Sequence, residues 1–263
     1  MPAFKKYYSK CHVITFNMPM PPLGVASRRI WVYLPPGYRE TERRYPVIYM
    51  HDGQNLFDPD TSYCGEWYVG RSINALVKGG KHTGAIVIGI DNGGPTRPSE
   101  YSPWSGIDVD NPRGEDYVRF ITDYLKPFID INLRTLPDRT NTAVAGSSAG
   151  GIISFYAALR RPEIFGLAGI FSPSFWYSWE NVENYIKQSD LRAGSKIYLD
   201  IGTKEEDRPD AYLNAAKAAA RLFKKKQGVD LKFVIDEGAP HHEDAWRRRF
   251  PDAFMWMFPP EKQ

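Results

Sequence analysis

The pattern Gly146-x-Ser148-x-Gly150 constrains the fold of this chain more than any other part of its sequence. A short β-rich run at residues 142–145 leads into it, and a helical run at residues 152–159 follows it. Where a strand turns this sharply into a helix, the central side chain points away from the sheet in strained backbone geometry, and glycines leave room for the turn. We therefore expect Ser148 at a helix N-terminus, where free amides and the helix dipole favour an oxyanion.

The pattern alone does not establish a nucleophile, because a glycine-rich turn that caps a helix can have the same letters. The strand before it and the helix after it favour the catalytic interpretation. A serine nucleophile also needs a base, an acid and an oxyanion hole in the right chain order, and the sequence offers candidates for each.

Composition and charge are those of an ordinary soluble protein. A chain of 263 residues can bury a large core without disulfides, and we expect a single α/β domain over residues 1–263. The net charge of +3 is too small to indicate nucleic acid or a membrane surface as a partner. Cys11 and Cys64 are the only cysteines, and their spacing indicates neither a disulfide framework nor a metal site.

The ends and the apolar runs of the sequence bear on location. The first eight residues contain lysines and aromatic residues but no apolar core of a signal peptide. No apolar run approaches the length of a membrane span. We therefore expect a cytoplasmic protein, and the sequence leaves open whether it forms a homo-oligomer.

Apolar, β-branched runs alternate with helical patterns along the chain. Strands are predicted at residues 13–18, 29–34, 46–50, 85–90, 142–145, 167–171, 196–201 and 231–235. Helices are predicted at residues 68–77, 115–132, 152–160, 211–226 and 245–257, with Pro127 expected to kink or shorten the second. This alternation predicts a mostly parallel central sheet of about eight strands flanked by helices, with an antiparallel start because no helix separates the first two strands.

The candidate base lies in segment 236–246, which follows the last predicted strand and contains His241 and His242. A histidine on such a loop can take the hydroxyl proton during attack and return it to the leaving alkoxide. The chain order nucleophile, acid, histidine is that of the α/β-hydrolase fold. Pro240 stiffens the backbone before His241, whereas His242 adjoins Glu243 and is expected to join the helix, so we prefer His241.

Three consecutive acids, Glu205, Glu206 and Asp207, follow the strand predicted at residues 196–201. One of them is expected to accept a hydrogen bond from the imidazole Nδ1 and hold the productive tautomer. We rank Glu205 first, Asp207 second and Glu206 third. Asp200 lies within the strand and is expected to be structural.

An oxyanion hole needs two backbone amides. One is expected from Ala149, the residue after the nucleophile. The other is expected from Gln54, which follows the third predicted strand, because Gly53 allows the bend that turns this amide toward the site.

Two loops are expected to shape the substrate pocket. The loop at residues 91–101 follows the fourth strand and contains Arg97 and Tyr101, and the loop at residues 172–179 follows the sixth and contains Trp176. Exposed rings there would suit a sugar face or an aromatic acyl group. The alternative is that the aromatic residues of the second loop pack against a neighbouring helix.

Five segments together resemble the putative esterase family, also called the esterase D-like family. They are residues 47–54, residues 97–101, the turn at Ser148, Gly202-Thr203-Lys204-Glu205 and His241-x-Glu243-x-x-Trp246. The resemblance extends from about residue 29 to residue 258, and members include S-formylglutathione hydrolase, feruloyl and acetylxylan esterases, enterobactin esterases and mycolyltransferases.

The resemblance implies a serine carboxylesterase with the α/β-hydrolase fold. It makes Ser148 the nucleophile, His241 the base, Glu205 the acid and Gln54 the donor of an oxyanion amide. The implied partner is a small-molecule ester, for which we favour an acetyl or feruloyl ester of a carbohydrate, and neither a cofactor nor a metal is required. A siderophore lactone, a thioester, or a catalytically weak protein that only binds its ligand remain alternatives.

Overall fold

Nine strands form one sheet in the computed structural model, which describes residues 6–8, 12–106 and 109–260. In chain order they are β1 Lys6–Tyr8, β2 Val13–Met20, β3 Val25–Tyr33, β4 Val47–His51, β5 Ile86–Ile90, β6 Thr142–Ser147, β7 Leu167–Phe171, β8 Ser195–Lys204 and β9 Val229–Pro240. Across the sheet they lie in the order β1-β2-β3-β5-β4-β6-β7-β8-β9.

The sheet is antiparallel at its beginning and parallel elsewhere. Strands β1, β2 and β3 pair antiparallel with one another, and β3 pairs antiparallel with β5. All pairs from β5 through β4, β6, β7 and β8 to β9 are parallel. The predicted mostly parallel sheet with an antiparallel start is confirmed, and each of the eight predicted strands is present. Strand β1 was not predicted, because its three residues lack the apolar run on which the prediction relied.

The helices are α1 Val69–Lys78, α2 Arg97–Glu100, α3 Gly114–Arg119, α4 Lys126–Asn132, α5 Ala149–Arg160, α6 Trp179–Gln188, α7 Pro209–Phe223 and α8 Glu243–Met257. A π-helical segment, Phe120–Leu125, joins α3 to α4. Pro127 lies in the first turn of α4, directly after this segment, where a proline is tolerated, so the helical stretch is divided there rather than broken. Within the described ranges, no helix is both long and apolar enough to cross a membrane.

Helix α6 is the longest element that the sequence patterns did not predict. Only four of its ten residues contribute to a buried face, namely Trp179, Val182, Tyr185 and Ile186. Val182 and Ile186 are fully buried, four positions apart on one side of the helix. A stripe this narrow, next to an aromatic loop, is weak evidence for a helix.

Alternate residues of β4 face opposite layers of the core. Val47 and Tyr49 belong to an apolar cluster with residues of α3, α5 and α7, whereas Ile48 and Met50 belong to another with residues of α1 and α8. Helices on both faces explain why β4, β5 and β7 are buried along their whole length. The carboxyl ends of these parallel strands meet at one edge of the sheet, where ligands bind in folds of this type.

Replacing Gly146 by alanine is expected to destabilise the turn between β6 and α5. The added methyl group would lie 2.8 Å from the Gly150 carbonyl oxygen and 2.9 Å from His51 Cδ2. Overpacking of this kind costs about 1–3 kcal/mol, and each kcal/mol lowers Tm by about 2–4 °C in a protein of this size. Thermal unfolding followed by circular dichroism measures the loss.

Gly150→Ala is the matched control within the same motif. A methyl group at Gly150 would meet Asp52 Oδ2 at 3.3 Å and His51 Cβ at 3.4 Å, and alanine also favours the first turn of α5. Its Tm is expected to fall less than that of Gly146→Ala. An equal or larger loss for Gly150→Ala would contradict this account of the turn.

Candidate active site

Ser148 lies at the sharp turn between β6 and α5. Its φ of 58° and ψ of −125° are strained for any residue with a side chain. Two backbone hydrogen bonds of 3.0 Å hold the turn, one from the Ser148 amide to the Phe171 carbonyl and one from the Gly151 amide to the Ser148 carbonyl. Ala149, the next residue, begins α5, and amides in a first helical turn have no partner within the helix.

A cavity of about 900 Å³ opens at the carboxyl edge of the sheet. Ser148, His241, Gln54 and Arg97 line it together, although they come from four separate parts of the chain. Among the described residues, the hydrogen-bond partner of the Ser148 hydroxyl is Ser174, whose Oγ lies 3.2 Å from the Ser148 Oγ. His241 lines the same cavity without a hydrogen bond to Ser148.

The two histidines of segment 236–246 have different partners. His242 is the N-cap of α8, where its Nδ1 accepts a hydrogen bond of 3.2 Å from the Asp244 amide. His241 lies just before that cap, and its Nδ1 lies 2.5 Å from Glu205 Oε2. A carboxylate accepts hydrogen bonds only, so the Nδ1 of His241 carries a proton. In the neutral ring, Nε2 is then the nitrogen that accepts a hydrogen bond.

Glu205 has no exposed surface, and three donors converge on its carboxylate. Its Oε1 accepts hydrogen bonds from the Ser172 hydroxyl (2.7 Å) and the Gly202 amide (2.6 Å), while Oε2 faces His241. Burial alone would raise the pKa of Glu205, but these hydrogen bonds, led by that from His241, outweigh burial and hold the pKa below the usual 4.5. The carboxylate is therefore ionised at neutral pH.

The other two acids of the cluster do not bind the Nδ1 of His241. Glu206 Oε1 lies 3.6 Å from the Nε2 of His241, on the opposite side of the imidazole from Glu205, and its side chain is more than half exposed. Asp207 is exposed to solvent. Asp200 is buried within β8 and accepts a hydrogen bond of 3.0 Å from the Ser172 amide. Of the three candidates, Glu205 is the one whose carboxylate binds the Nδ1 of a histidine.

Ser172 connects Glu205 to α8, and the sequence analysis did not identify it. Its hydroxyl donates to Glu205 and accepts from Trp246 Nε1 (3.0 Å) and Arg249 Nη2 (2.8 Å). Arg249 Nε lies 3.0 Å from Asp200 Oδ2. These residues belong to β8, α8 and the loop after β7, so no short sequence motif joins them.

Gln54 lies in a short 3₁₀ turn, Gly53–Asn55, that follows β4. An alanine methyl group at Gly53 would come within 2.8 Å of the backbone of Gly89 and Ile90, so only glycine lets the turn approach β5 this closely. The carbonyl of Gln54 accepts a hydrogen bond of 2.7 Å from the Thr61 hydroxyl, which ties the turn to residues 58–66.

Arg97 lines the cavity and anchors this turn. Its guanidinium binds both carboxylate oxygens of Asp52, at 2.7 Å and 2.8 Å, and Asn92 Nδ2 donates to the same carboxylate at 2.7 Å. Burial alone would raise the pKa of Asp52, but Arg97 and Asn92 outweigh it and lower the pKa. Asp52 itself has a left-handed φ of 54°.

Tyr101 and Trp176, predicted to shape the pocket, are absent from the lining of the cavity that contains Ser148. Tyr101 is fully buried, and its hydroxyl accepts a hydrogen bond of 3.1 Å from the Asp52 amide. Trp176 packs on the ring of Tyr212, with ring centroids 5.5 Å apart. These positions correct the predicted pocket roles of Tyr101 and Trp176. The sequence analysis could not tell an aromatic side chain that packs inward from one that faces a ligand.

Most residues that line the cavity have polar side chains, and more of these side chains are acidic than basic. Two guanidinium groups, those of Arg29 and Arg97, line it together with four carboxyl groups, those of Asp52, Asp91, Glu206 and Glu243. Arg29 is already paired with Asp91 at 2.6 Å. Tyr63 contributes the most exposed aromatic ring of the lining, with 90% of its surface accessible. No group of three or more metal-binding side chains occurs within the described ranges.

The order and direction of the strands make this an α/β-hydrolase fold. The sequence profile of the family described as "Putative esterase" matches residues 26–257, most of the chain. The protein therefore belongs to the Putative esterase family, as its motifs predicted.

Three relatives are similar in sequence. The uncharacterized protein YbbA of Bacillus subtilis is 28% identical over 245 residues, which cover 88% of this chain and 93% of YbbA. The endo-1,4-beta-xylanase/feruloyl esterase of Xylanibacter ruminicola is 30% identical over 221 residues, 82% of this chain but 27% of that protein. The iron(III) salmochelin esterase of Escherichia coli O6:H1 is 26% identical over 262 residues, 94% of this chain and 58% of that protein.

Solved structures share the fold at lower identity. The BES protein from Bacillus cereus superposes with a TM-score of 0.76 at 17% identity, and the match covers 98% of each chain. The ferric enterobactin esterase from Salmonella typhimurium has a TM-score of 0.73 at 23% identity, covering 98% of this chain and 60% of that one.

The buried carboxylate of Glu205 predicts a pH-dependent contribution to stability. Its pKa is lower in the folded than in the unfolded protein, so the contribution is complete above pH 4.5 and is lost as the pH falls below that value. The Glu205→Gln variant lacks this pH-dependent contribution to stability. The difference in Tm between wild type and Glu205→Gln should shrink as the pH falls below about 4.5.

Asp207→Asn is the control for this measurement, because Asp207 belongs to the same acidic cluster but is exposed. Its Tm should follow that of the wild type at every pH. A Tm difference for Glu205→Gln that stays unchanged down to pH 3 would contradict the assigned direction of the pKa shift.

Proposed function

We propose that the protein is a serine carboxylesterase that works through an acyl-enzyme. The observation that carries this proposal is the contact between His241 Nδ1 and Glu205. His241 lines a cavity together with Ser148, whose strained backbone is typical of a nucleophile turn. A buried carboxylate that fixes one nitrogen of an imidazole leaves the other nitrogen free to accept a proton. Membership of the Putative esterase family supports the same reaction class.

In the proposed first step, Ser148 Oγ attacks the carbonyl carbon of the ester while His241 Nε2 takes the hydroxyl proton. Glu205 stabilises the resulting imidazolium through the Nδ1 proton. The amides of Gln54 and Ala149 bind the oxyanion of the tetrahedral intermediate. The bond from carbon to the alcohol oxygen then breaks, and the imidazolium returns its proton to the leaving alkoxide.

The second step repeats this chemistry with water. His241 takes a proton from a water molecule, whose oxygen attacks the acyl carbon bound to Ser148. When the second intermediate collapses, the bond to Ser148 Oγ breaks, the imidazolium of His241 returns its proton to Oγ, and the carboxylic acid is released. No electrons are transferred to or from an external group, so the reaction needs no redox cofactor.

Within this class, we propose a carbohydrate ester as the substrate, either acetylated or feruloylated. The many polar side chains of the lining, together with the exposed Tyr63 ring, suit a neutral molecule with many hydroxyl groups. The similarity to an endo-1,4-beta-xylanase/feruloyl esterase over 82% of this chain supports this substrate class.

A siderophore lactone is the second candidate, because the salmochelin esterase is similar over 94% of the chain. The charges in the cavity disfavour it. A ferric catecholate is a polyanion, and here it would face the carboxyl groups of Glu206 and Glu243 without a free arginine, because Asp52 and Asp91 already pair both arginines of the lining.

Ser148→Ala is expected to abolish hydrolysis of a short p-nitrophenyl ester and labelling by a fluorophosphonate probe. Removing a nucleophile of this kind lowers turnover by about 10⁶-fold in a well-studied serine hydrolase. Ser189→Ala is the control, because Ser189 is the C-cap of α6 and is not part of the cavity lining, and it should keep wild-type activity. Hydrolysis by Ser148→Ala at the wild-type rate, with circular dichroism unchanged, would refute the proposed nucleophile.

A panel of esters tests the substrate class. We expect kcat/KM for acetylated or feruloylated xylo-oligosaccharides to exceed that for a ferric catecholate trilactone by at least about tenfold, and to vary little between low and high salt because the preferred substrate is neutral. A higher kcat/KM for the trilactone would overturn the carbohydrate proposal and leave the esterase proposal intact.

A further inference from the structure

Three hydroxyl groups form a chain from Ser148 to Glu206. The Oγ atoms of Ser148 and Ser174 are 3.2 Å apart, and Ser174 Oγ lies 3.1 Å from the Tyr212 hydroxyl. The Tyr212 hydroxyl donates to Glu206 Oε2 at 3.3 Å. The other carboxylate oxygen of Glu206 lies 3.6 Å from His241 Nε2, so the chain starts at the nucleophile and ends beside the base.

Counting protons fixes the direction of every hydrogen bond in this chain. Each hydroxyl has one proton, and a carboxylate has none to give. Tyr212 uses its proton on Glu206 and must therefore accept from Ser174. Ser174 has then used its own proton and must accept from Ser148. The proton of the Ser148 hydroxyl consequently points toward Ser174.

His241 needs that same proton. Its Nδ1 donates to Glu205, so a neutral ring offers Nε2 as the acceptor. Attack on an ester therefore requires the Ser148 hydroxyl to leave Ser174 and turn to His241. We infer that Ser174 and Tyr212 are positioning residues that hold the Ser148 proton away from His241 in the free enzyme, an arrangement that catalysis must undo. This inference rests on the proposed function.

The residues around Tyr212 hold this row of hydrogen-bonded hydroxyl groups in place. Tyr212 is 2% exposed on α7, and its ring centroid lies 5.1 Å from that of His241 and 5.5 Å from that of Trp176. Burial raises the pKa of the Tyr212 hydroxyl, which keeps it protonated as a donor. The ring contacts do not depend on the hydroxyl, so Tyr212→Phe removes the hydrogen bonds while preserving the packing.

Removing a link of the chain should make Ser148 more reactive. In Tyr212→Phe the proton of Ser174 loses its acceptor and turns to Ser148 Oγ, which leaves the Ser148 proton for His241. In Ser174→Ala the Ser148 hydroxyl loses the competing acceptor altogether. Because an intramolecular hydrogen bond is worth a net factor of about two to ten in an equilibrium constant, the reaction rate should rise by a factor in this range.

The experiment measures the second-order rate constant for inactivation by a fluorophosphonate probe, together with kcat and KM for a p-nitrophenyl ester. Both Tyr212→Phe and Ser174→Ala are expected to raise the inactivation constant and kcat about two- to tenfold, with KM unchanged. Tyr156→Phe is the matched control, because this buried tyrosine also donates to a glutamate, Glu115, but away from the cavity. It should react at the wild-type rate.

A second readout does not depend on activity. If the hydroxyls act as one chain, the Tm losses of Tyr212→Phe and Ser174→Ala should be non-additive in the double variant. Additive losses, or inactivation constants that are unchanged or lower in the two folded single variants, would overturn the inference. Labelling that persists in Ser148→Ala would refute the proposed nucleophile instead, and an absence of labelling in all variants and the wild type would overturn both.

Discussion

Glu205 carries a negative charge with no exposed surface, and its need for hydrogen-bond donors organises the site. A buried carboxylate is costly unless each oxygen is satisfied. Its three donors come from the end of β8, the loop after β7 and the loop after β9. One ionised group thus brings together three segments that are far apart in the chain.

The architecture of the fold could be predicted from the sequence because the patterns that indicate its strands and helices are local. Runs such as residues 47–50 are continuously apolar since helices cover both faces of the parallel sheet. The glycine pattern around Ser148 was informative because Gly146 contacts backbone atoms so closely that no side chain fits. Elements with narrow or short apolar patterns, β1 and α6, were missed for the corresponding reason.

The finer features of the site depend on which way side chains point. The sequence analysis ranked Glu205 above its two acidic neighbours without a geometric reason, and burial against Ser172 and Gly202 supplies one. The aromatic loop around Trp176 packs inward, whereas Tyr63, from a segment with no distinguishing motif, presents its ring to the cavity. Ser174 lies in a loop that was predicted to shape the pocket, but neither it nor Tyr212 was identified individually, because their contact joins that loop to the first turn of α7.

Glu205 and Glu206 are consecutive residues whose carboxylates approach the two nitrogens of one imidazole from opposite sides. This geometry requires a reversal of the backbone between them, and Glu206 has a left-handed φ of 37°. An insertion or deletion in the segment between β8 and α7 would displace both carboxylates at once. The length of that segment is consequently under tighter physical restraint than the identity of its exposed residues, and variation there is expected as substitution rather than as a change in residue number.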